Sequence, residues 1–206
     1  SALLVSSRLV DQECNYDPAV LNCALADPLL PHQQQAFQEF KRHYDNRTAT
    51  AMYLDAVAGA GKTKFLNYVL AHVRLDGNVA LAVATSGIAA LLLMNGRTPN
   101  SRFKAGINCT DESYCDINRS DRNALVQLIR AAKVIVWDEA PMADRRLFET
   151  IHRTLCDIRG TDPVTGPLFG GVILILAGDF RQNLPVVRHG THSQIVAVSL
   201  KASRLW

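Results

Sequence analysis

Three short stretches of this sequence hold residue types whose spacing suits work on a polyphosphate. The first is AVAGAGKT, residues 56–63. Glycines let successive backbone N–H groups turn inward around a phosphate, and a helix starting near Lys62 adds its positive end. Lys62 offers a mobile cation to the β/γ oxygens, and Thr63 a hydroxyl to Mg2+. The full pattern wants a glycine where Ala56 stands, but a methyl group is tolerated there at negative φ. Gly59 and Gly61 keep the freedom nearest the phosphates. Taken alone, the stretch also fits an ordinary glycine turn ahead of a helix.

The second stretch, VIVWDEAPM at 134–142, delivers two adjacent acids at the end of an apolar run. Asp138 is suited to hold Mg2+ through its water shell, and Glu139 to orient and deprotonate an attacking water. The same pair also suits the cap of a following helix. In the third, LAGDFRQNLPV at 176–186, Gln182 carries the neutral two-ended amide that senses a γ-phosphate or its attacking water without competing for the metal. Arg181 suits either a phosphate or a partner domain, and a plain polar loop at a strand end remains the alternative for the stretch.

These residues need a scaffold that brings distant segments to one place. AMYLDAV (51–57) reads as a buried strand running into the glycine loop, and KTKFLNYVLAHVRL (62–75) as the helix leaving it, with Phe65, Leu66, Val69, Leu70 and Val73 on one face. The alternation continues with a strand at 79–84, a helix at 87–94, a polar segment at 95–118, a helix near 121–131 and a strand into Asp138. A helix at 144–158, a Gly/Pro loop and a last strand into Asp179 complete it. A further helix is predicted at 32–44, whereas residues 1–28 lack sustained periodicity and read as an irregular lead-in. Nearly all-apolar strands separated by helices imply an α/β fold with a mostly parallel sheet covered on both faces. Right-handed crossovers then align the strand C-terminal ends along one edge.

With 206 residues, 48% hydrophobic and 20% charged, the chain has the size and composition of one core-forming domain. Its net charge of +3 is too small to declare a nucleic-acid partner. The distribution says more: no acid follows Asp179, while Arg181, Arg188, Lys201 and Arg204 do, and RTPNSRFK (97–104) carries three cations and no acid. The five cysteines show no zinc-site spacing and read as reduced thiols in an intracellular protein. The most apolar stretch, 78–96, is broken by Thr85, Ser86 and Gly87, so a strand and helix rather than a membrane span are expected, and no signal peptide is evident. His43, His72 and His152 read as surface or satisfied polar positions, and Trp137 as core.

The three stretches, together with LLPHQQQAF and ATSGIAALLL…GRTPNSRF, resemble the first RecA-like, P-loop NTPase domain of superfamily-one DNA helicases of the Pif and Helitron group. The likeness covers 29–206. It implies an ATP-dependent 5′-to-3′ helicase of DNA repair, recombination, telomere maintenance or transposition, in the nucleus or mitochondrion. By this resemblance Gln33 reads the adenine, and Ala58, Gly59, Ala60, Gly61, Lys62, Thr63 and Lys64 hold ATP. Thr63 and Asp138 hold Mg2+, and Lys62, Glu139 and Gln182 are catalytic. Thr85, Ser86, Gly87, Thr98, Ser101, Arg102 and Phe103 contact single-stranded DNA; Phe103 suits the core equally well. Asn100 stands where the family commonly has a histidine, which puts a base contact there in doubt.

Superfamily-one motors close ATP against a second RecA-like domain whose arginines are worth on the order of 10³ to 10⁵ in rate. No such domain follows within this chain, so it reads as a piece of a longer protein: monomeric, a poor ATPase and no helicase by itself. The alternative is a nucleotide-gated binding module, for single-stranded nucleic acid or a protein, that does not turn over.

Overall fold

A computed structural model of the chain describes residues 8–57, 59–182, 185 and 191–206. At its centre β1 (Thr50–Asp55), β2 (Val79–Ala84), β3 (Ala132–Asp138) and β4 (Ile173–Gly178) form one sheet in the order β1-β4-β3-β2. Every pairing is parallel. The helices are α1 (Arg8–Cys14), α2 (Pro18–Ala26), α3 (Pro31–Asp45), α4 (Lys62–Leu75), α5 (Gly87–Leu92), α6 (Pro99–Phe103), α7 (Ala124–Ala131), α8 (Arg145–Arg159) and α9 (His192–Val198).

Side chains alternate across the strands and divide the core in two. Leu81, Val83, Ile135, Trp137, Leu174 and Leu176 point to one face, against Phe103 of α6, Val126 and Ile129 of α7, and Phe148 and Ile151 of α8. Ala80, Ala82, Ala84, Val134, Val136 and Ile175 point to the other, against Phe40 of α3 and the apolar stripe of α4. Three alanines in β2 leave room for α4 to lie close. The α/β architecture with both faces covered is therefore as expected, and Trp137 is core.

The lead-in departs from expectation: α1 and α2 occupy most of 8–26. Asp17 caps α2 by accepting from the Ala19 N–H at 2.8 Å, with Pro18 in the first turn. At seven and nine residues these helices are too short for a 3.6-residue period to stand out. Tertiary packing holds them, α1 against α7 and β2 and α2 against α4. The polar segment 95–118 contains α6 and docks on the β2 edge, where Arg97 N–H donates to Ala82 O at 3.2 Å and Ala84 N–H donates to Arg97 O at 3.1 Å. All five cysteines are free, and among the described residues no helix is long and apolar enough to cross a membrane.

Candidate nucleotide and strand site

Four parallel strands end along one rim, at Asp55, Ala84, Asp138 and Gly178, with Asp55 beside Gly178 and Ala84 beside Asp138. The glycine loop leaves β1 there. Gly59 (φ 80°) and Gly61 (φ 75°) take left-handed conformations that let the chain turn into α4. Ala56 N–H donates to Gly178 O at 3.4 Å, so the loop is tied to β4 at the position where the usual glycine is replaced. Ala58 lies outside the described residues.

Lys62 folds over the loop, its Nζ donating to Ala56 O at 2.6 Å and Val57 O at 3.0 Å. Thr63, in the first turn of α4, lies close enough to Asp138 at the end of β3 for its hydroxyl to favour the charged carboxylate. Burial pushes the Asp138 carboxyl above its ordinary value; the Glu139 N–H, the Lys62 charge and the Thr63 hydroxyl pull the other way. Glu139 follows in the left-handed region (φ 52°, ψ 35°), its N–H donating to Asp138 Oδ1 at 2.9 Å. A non-glycine residue held there costs about 1–3 kcal/mol, a strain that clusters at functional sites. Glu139 Oε2 is buried and has no hydrogen-bond partner among the described residues.

Two features of this rim have no signature in the sequence. A Cβ on Gly178 would lie 2.3 Å from Pro141 Cδ, so only glycine allows β4 to end against the turn that carries Glu139. Asp179 is the other: it is buried, accepts from Arg181 N–H at 2.9 Å and Arg181 Nε at 2.8 Å, and leaves Oδ2 without a partner among the described residues. Arg181, with Lys62 in a lesser part, holds its carboxyl below the ordinary range. Lys62 thus acts on Asp138 and Asp179 alike. Gln182 begins its course at the same rim, its N–H donating to Asp179 O at 3.2 Å, with an exposed side chain.

Gln33 lies against the loop rather than on the surface. Its Oε1 accepts from Leu30 N–H at 3.1 Å, and its Nε2 donates to Ala60 O at 3.2 Å and Gly61 O at 3.3 Å, so each amide end already has a main-chain partner. A cleft of 250 Å3 opens beside it, lined by Gln33, Ala36, Tyr53, Ala56, Lys62 and Phe65 among others. Lys64 points the other way, to Asp27 at 2.9 Å and Pro28 O at 2.9 Å.

The strand-contact candidates split. Thr85 Oγ1 accepts from Trp137 Nε1 at 3.0 Å, which fixes the threonine directly beyond β2. Ser86 caps α5 through the Ala89 N–H at 3.1 Å, and Gly87 is exposed. Thr98 caps α6 through the Ser101 N–H at 3.3 Å, with Ser101 exposed. Arg102 and Phe103 do not face solvent. Phe103 is 0% exposed within the core, and Arg102, 5% exposed, is ion-paired to Glu13 at 2.7 Å. The strand-contact expectation for Arg102 is corrected, and of its two alternatives Phe103 takes the core: in α6 Ser101 faces outward and its two successors inward. Of the three cations in 97–104, Arg97 and Lys104 remain at the surface.

The family model for PIF1-like helicases matches residues 28–206. The ATP-dependent DNA helicase Pif1 of Psychrobacter is 30% identical over 144 residues, covering 70% of this chain and 21% of its own length. Bacteroides Pif1 bound to single-stranded DNA superposes with a TM-score of 0.61 at 26% identity, over 84% of this chain and 36% of that one. Bacteroides Pif1 in complex with ADP-AlF4 gives a TM-score of 0.61 at 25% identity, over 84% and 36%. The chain thus spans about a fifth of that curated relative.

Proposed function

The chain belongs to the PIF1-like helicase family, and on that premise we propose that it is the ATP-binding and ATP-hydrolysing half of a 5′-to-3′ DNA helicase. The observation that carries this reading is the meeting of Lys62, Thr63, Asp138 and Glu139, drawn from two distant segments, at one rim of the sheet.

The roles follow from the chemistry of each group. The loop N–H groups and the start of α4 bind the phosphates, and Lys62 exchanges the Ala56 and Val57 carbonyls for β/γ oxygens. With an Oε2 that has no partner among the described residues, Glu139 suits the role of the base that takes a proton from water as its oxygen bonds to the γ-phosphorus and the bond to ADP breaks. Gln182 orients the γ-phosphate and that water. Thr63 and Asp138 form an all-oxygen pair that would hold Mg2+. When bound, that ion neutralises charge on the phosphates.

Single-stranded DNA lies along the β2 side of the rim, contacted by Thr85, Ser86, Gly87, Thr98 and Ser101. A second RecA-like domain of the parent protein supplies the other wall of both sites. Lys62→Ala tests the reading by calorimetry with Mg-ATP. Loss of charge-assisted hydrogen bonds worth about 1.5–3 kcal/mol each weakens binding roughly 10- to 150-fold. Equal affinity in the variant refutes it.

A further inference from the structure

The lead-in ahead of the family-matched region carries a buried acid that reaches across the fold. Glu13, near the end of α1, is 2% exposed. Its Oε1 accepts from Asn95 Nδ2 at 2.7 Å and from Arg102 Nη1 at 2.7 Å. Its Oε2 accepts from Arg74 Nη2 at 3.2 Å and from the Tyr16 hydroxyl at 3.2 Å. Arg102 Nη2 donates in turn to Asn95 O at 2.6 Å. One carboxylate oxygen therefore closes a ring over both ends of the segment 95–102, whose middle presents Thr98 and Ser101.

That segment has little else to define its shape. A five-residue helix such as α6 has no stability of its own. Asn95 sits at φ 53°, a conformation uncommon outside glycine. Besides Glu13, the Arg97 main chain on β2, the buried Pro99 and Phe103 side chains, and Asn100 Nδ2 on Ala105 O and Gly106 O hold it. The electrostatics set Glu13 apart from the other anchors, because two buried guanidiniums share its single carboxylate. Burial draws both Arg74 and Arg102 below their ordinary pKa, and the Glu13 charge is the largest or nearly the largest influence raising each back. Without Glu13, Arg102 is an uncompensated charge that leaves the interior and takes α6 with it.

We propose that α1 acts as a clasp on the strand-binding segment, with Glu13 a positioning residue that sets single-stranded DNA affinity through Asn95 and Arg102. This rests on the reading of Thr98 and Ser101 as strand contacts. It places control of the DNA side of the site in residues ahead of the matched region.

The test uses Glu13→Gln, Glu13→Asp, Arg102→Met and the Glu13→Gln/Arg102→Met double variant of the 206-residue chain. Hydrogen exchange, fluorescence titration of labelled oligo-dT and Mg-ATP calorimetry are the readouts. Glu13→Gln is expected to speed exchange at amides 97–103 while β3 and α8 stay protected. Affinity for DNA falls about fivefold or more, and ATP affinity holds. Glu13→Asp, which keeps the charge on a shorter arm, gives an intermediate result and serves if the Gln variant does not fold. The double variant binds DNA no more weakly than the weaker single one.

Unchanged exchange at 97–103 in both Glu13 variants overturns the clasp. So does loss of DNA binding in Arg102→Met alone with none in Glu13→Gln, which makes Arg102 a direct contact. Thr98→Ala/Ser101→Ala with undiminished DNA affinity removes the premise and with it the DNA role, and exchange still decides whether α1 clasps the segment.

Discussion

Gly178→Ala probes the joint between the two strands that frame the candidate site. The added Cβ lies 2.3 Å from Pro141 Cδ and 2.8 Å from Pro141 Cγ, with Ala140 N at 3.6 Å. Carbon atoms rest at about 3.5–4.0 Å, so the two surfaces must part by roughly 1 Å. A proline ring has no rotamer by which to step aside, and the movement passes either to the end of β4 or to the turn that holds Glu139. Overpacking of this kind costs about 1–3 kcal/mol. At roughly 2–4 °C per kcal/mol for a domain of this size, the melting temperature falls by about 2–12 °C. A displacement near 1 Å at a base that must meet water in line costs about 10²-fold in the chemical step. The assays are thermal denaturation and, for the proposed reaction, single-turnover ATP hydrolysis. Gly77→Ala is the control: Gly77 has φ 70° and nothing within 4 Å of the point where an alanine methyl would stand, so strain there lowers stability without touching hydrolysis. A Gly178→Ala protein that melts and hydrolyses like wild type refutes the argument that this contact positions Glu139.

Two further outcomes follow from burial. Phe103→Ala removes a wholly buried ring and is expected to cost about 3–5 kcal/mol of stability in urea denaturation; a variant of wild-type stability with weakened DNA binding returns Phe103 to the strand surface. His152 is held neutral, since its Nδ1 accepts from Phe169 N–H at 3.0 Å and its Nε2–H donates to Pro163 O at 2.9 Å, and burial depresses its pKa. A histidine with a folded value below its unfolded value, near 6.5, contributes stability fully above about pH 6.5 and loses it as pH falls through the folded value. Melting temperatures taken from pH 8 to 5 should therefore fall less steeply in His152→Gln than in wild type, and equal slopes count against the assignment.

The elements and the candidate phosphate-binding residues were legible in the sequence because their signals are local. A strand declares itself by a run of β-branched and apolar residues, α4 by its stripe of Phe65, Leu66, Val69, Leu70 and Val73, and the loop by Gly59, Gly61 and Lys62 in adjacent positions. Parallel strands joined by helices then leave one rim for all the strand ends, which is why Lys62 and Asp138 share that rim. Other features depend on partners far away in the chain. Whether Arg102 faces a strand or the interior turned on its pairing with Glu13 of α1, which carries no periodic signal, and Phe103 turned on the core that forms beneath α6. The Gly178–Pro141 contact and the carboxylate of Asp179 have meaning only once β3 and β4 lie side by side. Glu13 and Arg102 are separated by 89 positions, a distance over which no sequence pattern specifies a pair. Periodicity and short motifs encode what a segment becomes and what chemistry it carries; which side chains are buried together is decided by the assembled fold, because burial and charge pairing are properties of surfaces that do not exist until the segments meet.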